Sequence, residues 1–258
     1  MNDYPAQIVP IGHVEPVPRR VRAFLGGRKV LDTTRARYVW ESVDYPQFYI
    51  PADDVEHQLL EREGSTIQTR RGTAELFALR VGDIVRAHAV KHYASSPLAG
   101  LEGTMRFEWS ALDEWYEEDE LVFVHPRSPY TRVDALRSNR PLRVELEGTL
   151  LAEAGSSVTV FETGLPTRYY LDRSAVRFEH LVHTETVSSC PYKGTTSDYW
   201  SVRLGETVHA DLAWSYDFPT RALSPIAGLV AFYNEKLDIF LDGELLARPH
   251  THFSSTDD

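Results

Sequence analysis

Short runs in which apolar and polar residues alternate dominate this chain, and a period of two is the pattern of a strand with one buried face. "VRAFLGGRKVLD" (residues 21–32) alternates on either side of Gly26-Gly27, and "RVELEGTLLAE" (143–153) does so around Glu147-Gly148. Two such residues between alternating runs predict a tight hairpin. "ALRVGDIVRAHAV" (78–90) and "SVRLGETVHADLAW" (201–214) predict two more, turning at Gly82-Asp83 and Gly205-Glu206. Helical periodicity is scarce. "SALDEWYEEDE" (110–120) is the best helix, with Ser110 as its cap and its acidic positions from Asp113 to Glu120 as a solvated face.

The same pattern occurs twice, which is the signature of a duplicated domain. At a constant separation of 121 positions Arg22 meets Arg143, Leu25 meets Leu146, Gly27 meets Gly148, Val39 meets Val160, Glu41 meets Glu162, Tyr49 meets Tyr170 and Val55 meets Val176. Further on, Gly72-Thr73 matches Gly194-Thr195. After one inserted residue Arg80, Gly82 and Val85 match Arg203, Gly205 and Val208. The expected organisation is a tail over residues 1–18, repeats over 19–133 and 134–250, and a tail over 251–258. "HPRSPYTRVD" (125–134) reads as the connection, with Arg127 or Arg132 clamping the halves.

Composition narrows the function classes. The chain has 38 acidic and 27 basic side chains, a net charge of −11, so its average surface repels a nucleic-acid backbone. The start "MNDYPAQIVPIGHVEPVPRR" lacks the basic and apolar regions of a signal peptide, and no run of about eighteen apolar residues occurs, so neither export nor membrane insertion is expected. One cysteine makes no internal disulfide and no four-ligand zinc set, which points to a reducing cytoplasm with no metal or cofactor.

With both repeats laid out, "EWSALDEWYEEDELVFVHPRSPYTRVDALRSNRPLRVELEG" (108–148), "SCPYKGTTSDYWSV" (189–202), "DLAWSYDFP" (211–219) and "IAGLVAFY" (226–233) resemble the tandem form of domain-of-unknown-function family 427. The resemblance runs from about Arg19 to Gly243. It implies an all-β chain of two tandem small β-tent-like domains with little helix, related in shape to methionine sulfoxide reductase B and the cyclic-imide-binding domain of cereblon. Those relatives often hold zinc through CxxC pairs. This sequence has none, so the zinc is not carried over. The nucleotidyltransferase label that the family sometimes carries finds no Gly-rich phosphate loop or paired-aspartate site here.

The candidate chemistry lies in "SSCPYKGTTSDYW" (188–200). Pro191 holds Cys190 extended and favours a turn that brings Lys193 back toward the sulfur. An ammonium at ~4 Å would favour the thiolate at an effective dielectric near ~20. The bland reading is a small buried thiol beside a solvated lysine. Placed by the Gly72/Gly194 match, Cys190 lies opposite Gln68 and Lys193 opposite Arg71. Tyr170, Trp200, Trp214 and Tyr216 are either core or the walls of a pocket for a flat or cationic molecule. Glu162 is either a salt-bridge partner of Arg143 or a group that handles protons. His180, His183 and His209 are further candidate bases. The expectation is thus a small-molecule ligand or substrate held by Tyr170, Trp200, Trp214 and Tyr216, with Cys190, Lys193 and Glu162 as the catalytic set if a reaction occurs. The alternatives are a non-catalytic ligand-binding module and a protein-interaction module.

Overall fold

The structure is a computed structural model that describes residues 4–251 and 254. It divides into two compact units, one over Ile8–Ser128 and the other over Pro129 onward together with the residues up to Gln7. Both are all-β with short 3-10 turns. In the first unit the larger sheet runs in the order Val14–Pro16, Arg37–Val39, Gln47–Pro51, Thr104–Phe107, Ile84–Tyr93, Gly72–Val81 and Leu60–Thr69. In the second the order is Val133–Ser138, Ser157–Glu162, Leu165–Leu171, Val230–Phe232, Thr207–Ser215, Asp198–Leu204 and Leu181–Thr184. Strand for strand these are one topology. Each unit adds a four-stranded sheet, built on Val21–Leu25 and Arg28–Thr33 in one and on Leu142–Leu146 and Thr149–Ala154 in the other.

The hairpins form where the alternation places them. Gly26 and Gly27 take φ of +57° and +73°, and Glu147 and Gly148 take +51° and +78°, the left-handed pair that a two-residue turn needs to follow strand twist. Period two then sorts the side chains. Phe48 and Ile50 join the first core, between the two sheets, with Val21, Ala23 and Leu25, while Tyr49 between them points to the opposite face. Leu171 joins the second core while Tyr170 faces away from it. Each larger sheet therefore carries a main core on one face and a smaller cluster on the other. That second face holds the candidate site.

Three expectations change. Residues 110–120 do not form a helix: a 3-10 turn over Trp109–Ala111 leads into the strand Glu114–Glu117, which pairs antiparallel with Val21–Leu25. The reason is Glu117, whose side chain is buried with Arg19 Nη1 at 2.6 Å and Arg127 Nη2 at 3.1 Å. Alternation of exposed Glu114 and buried Trp115 fits a strand once those partners arrive. The division between units falls after Ser128 rather than at 133, because Val133 already pairs with Glu162. Arg127 engages Glu117 in the first unit and Arg132 engages Asp134 in the second. Nor do residues 4–18 of the expected tail run free. Val14–Pro16 is a strand of the first unit, and the Pro5 carbonyl accepts from Gly164 N–H at 2.7 Å in the second. Of the expected tail 251–258, only Thr251 and Ser254 lie within the described residues.

Candidate functional site

Glu162 ends the strand Ser157–Glu162, where exposed Phe161 and buried Glu162 alternate. Further along the chain Cys190 pairs with Gly194, leaving Pro191, Tyr192 and Lys193 as the turn, with Lys193 thirty-one positions after Glu162. That turn is pinned from outside: Thr220 Oγ1 donates to the Tyr192 carbonyl at 2.6 Å and Thr220 N–H to the Lys193 carbonyl at 3.0 Å. Lys193 does not point to water. Its side chain, 9% exposed, is ion-paired to Glu162 Oε2, and its Nζ lies 3.8 Å from Cys190 Sγ. Burial alone would lower the lysine pKa. The Glu162 carboxylate, helped by Cys190 and Tyr170, outweighs it and holds the ammonium above its ordinary range. Glu162 thus pairs with Lys193 and not with Arg143, which lies 3.0 Å from Glu145.

Beside this pair stands the aromatic cluster. Tyr170 is fully buried, and burial pushes its phenol up to about 12 despite the opposing charge of Lys193. Its hydroxyl accepts from Trp214 Nε1 at 3.3 Å. Tyr233 packs on Trp214 with ring centroids 4.4 Å apart, and its hydroxyl bonds that of Tyr199 at 3.2 Å. Burial raises the Tyr216 phenol, with smaller effects from Tyr170 and Cys190. The Arg168 guanidinium lies 5.8 Å from the Trp214 ring and 5.5 Å from the Tyr233 ring, anchored by two 2.6 Å bonds to Glu235 and by Asn234. Cys190 and Tyr233 are only partly buried, so solvent reaches the cluster at those two side chains.

Six of the seven expected side chains are therefore neighbours: Cys190, Lys193, Glu162, Tyr170, Trp214 and Tyr216. Trp200 is not among them. It follows Tyr199 on one strand, so its ring enters the main core, where Phe178 meets it edge-on at 5.7 Å. The histidines are engaged elsewhere, His183 with Asp198 at 3.2 Å and His209 with Glu147 at 3.7 Å, and His180 ends a 3-10 turn over Phe178–His180. Arg168 and Glu235 were missed. Arg168 stands two residues before Tyr170, hence on the same face, a signal the alternation did contain.

The first unit fills the corresponding positions differently. Thr69, not Gln68, is the counterpart of Cys190, because Thr69 pairs with Gly72 across a two-residue turn while Cys190 pairs with Gly194 across three. Arg71 precedes Gly72 as Lys193 precedes Gly194, and Arg71 Nε lies 3.5 Å from Glu41 Oε1. Cross-strand register then equates Arg106 with Ala231, since both face the paired tyrosines Tyr49 and Tyr170. It equates Lys91 with Trp214 in turn. Two residues beyond Arg106 and Ala231 stand Glu108 and Tyr233. An indole and a phenol packed at a tilt in one unit thus occupy the places of an ammonium and a carboxylate in the other.

Fold and site together define a class: a duplicated all-β protein in which each repeat sets a carboxylate, buried in the second and partly buried in the first, against a cation beside a buried tyrosine. The family described as a domain of unknown function, DUF427, matches residues 13–118 and again 134–243, most of the chain, and the protein belongs to that family in tandem form. No curated protein matches the chain. Among the described residues no helix is long and apolar enough to cross a membrane.

Proposed function

We propose that the second unit binds a small organic molecule at the lip formed by Cys190 and Tyr233, over the aromatic cluster of Tyr170, Trp214 and Tyr216. The observation that carries this reading is the partly exposed Cys190 thiol 3.8 Å from the ammonium of a buried Lys193–Glu162 pair. A charged pair costs stability when buried unless it is well satisfied, and its placement beside a reachable sulfur supports reading it as a site. The ligand fitting this lip has a flat or aromatic body for Trp214 and Tyr233 and an electrophilic or polar group for Cys190 and Lys193. The free thiol suits a reducing compartment, and we place both protein and ligand in the cytoplasm.

Native mass spectrometry of freshly purified protein tests the reading by the mass of a co-purified molecule. Trp214→Ala is expected to lose that molecule. If Cys190→Ser also abolishes its conversion while folding is intact, the site is catalytic; if Cys190→Ser retains both binding and any turnover, the site is a binding module with the thiol as packing. Recovery of the chain without a bound molecule, and no binding by a library of flat aromatic compounds, would leave the protein-interaction alternative in its place.

A further inference from the structure

In the first unit five charged side chains form a chain of ion pairs, Lys91 and Arg106 from two paired strands and Glu41, Arg71 and Glu108 from the turns and strand ends beside them. Lys91 Nζ donates to Glu108 Oε1 at 2.5 Å, Glu108 also pairs with Arg106, Arg106 Nε lies 3.5 Å from Glu41 Oε1, and Arg71 Nε lies 3.5 Å from that same oxygen. Glu41 Oε1 already accepts a hydrogen bond from the Tyr49 hydroxyl at 2.7 Å. The two guanidinium Nε–H groups of Arg71 and Arg106 are buried and make no hydrogen bond. Three cations and two carboxylates leave the row with one excess positive charge; Arg106 is buried and the other four are partly buried. Excess charge that is partly desolvated favours a counter-ion.

The Lys91 end of the row opens on a cavity of about 660 Å³. Ile67, Leu76, Val85 and Ala111 give one apolar side to it, and Arg86 adds a second cation near Lys91 and Glu108. The volume is that of a small-ligand site. In the second unit Trp214 and Tyr233 stand where Lys91 and Glu108 stand here, so the charge is a property of this repeat alone.

We propose that this cavity is a ligand site of the first unit that takes a small amphipathic carboxylate, its anionic head against Lys91 and Arg86 and its apolar body along Leu76, Ile67 and Val85. A single negative charge offsets the row's own excess, while Arg86, exposed on the rim, adds attraction through solvent. The neighbouring Glu108 carboxylate, held below its usual range by Lys91 and Arg106 against the effect of burial, repels a dianion such as a phosphate monoester. The site lies in a different unit from Cys190 and does not depend on the function proposed for it.

Isothermal titration calorimetry of the full-length protein with octanoate, octan-1-ol, octylamine and octyl phosphate tests the assignment. Octanoate binds best, and its binding weakens with added salt. Lys91→Met lowers octanoate affinity by about tenfold or more, the effect of losing one charge-assisted bond, and removes the preference over octan-1-ol; Lys91→Arg restores it. Val85→Glu alters a partly exposed rim position, so it serves as a second probe that does not disturb the ion-pair row, and it too weakens octanoate. Absence of octanoate binding, equal binding of octan-1-ol, tighter binding of octyl phosphate, or a preference unchanged in Lys91→Met or in Val85→Glu overturns the assignment.

Discussion

Replacing Lys193 by Met keeps a long unbranched side chain in the turn before Gly194 and removes only the ammonium. What remains is the Glu162 carboxylate, 7% exposed, with its ion-pair partner gone. Removing one member of a buried pair costs about 3–5 kcal/mol, mostly the penalty of the charge left behind. With an m-value near ~2 kcal/mol/M for one unit, the urea midpoint of the second unit falls by about 1.5–2.5 M. Two compact units call for probes that report each transition, and hydrogen exchange of the backbone amides of strands such as Thr207–Ser215 follows the second. Glu162→Gln strands the ammonium instead and costs a similar amount, whereas the double variant removes both charges and falls well short of the sum. The pH dependence has a definite sign. Because Lys193 is held above its ordinary pKa of roughly 10.4, the pair's contribution is complete below that value and lost as pH rises through the raised one. A cost below ~1 kcal/mol for Lys193→Met, or additive single variants, would refute the view that this is a buried and mutually dependent pair.

Glu117→Gln removes the charge that Arg19 and Arg127 share, and is expected to cost about 2–3 kcal/mol in thermal unfolding of the first unit, with Glu117→Asp recovering part of it. Gly72 has φ +110°, and a Cβ there would sit 3.1 Å from the Ser95 carbonyl oxygen, so Gly72→Ala costs roughly 1–3 kcal/mol. Gly82→Ala, at φ +57° with open space around it, costs less; equal losses in urea titrations would discard the close approach at Gly72. Asp32, hydrogen-bonded chiefly by Arg20, is pulled down to about 2. Its contribution is therefore present above its unfolded value of roughly 3.9 and lost as pH falls through about 2, and Asp32→Asn flattens the stability profile between those limits.

Much of the site was legible before any coordinates. The duplication at 121 positions aligned Glu41 with Glu162 and Tyr49 with Tyr170, and a proline turn drew Lys193 toward Cys190, because those relations are local or repeat. The helix at 110–120 failed because its one decisive residue, Glu117, is buried by an arginine 98 positions away. Trp200 was misplaced because adjacent residues on a strand face opposite ways, and only the register across to Ala213 and Trp214 says which way each faces. The partners of Glu162 and the row from Lys91 to Arg71 were out of reach for the same reason. Their members come from strands, strand ends and turns that are far apart in sequence.

By itself the sequence determined the all-β character, the duplication, the turns and the presence of a cation before both Gly72 and Gly194, since backbone φ at glycine and a period of two act within a few residues. Only the tertiary structure decided which alternate face closes over the main core and which carries the site. It also decided that the corresponding places hold a row of five charges in one repeat and an ion pair beside packed aromatic rings in the other. Those outcomes depend on register between strands distant in sequence, and register is set by the packing of whole sheets.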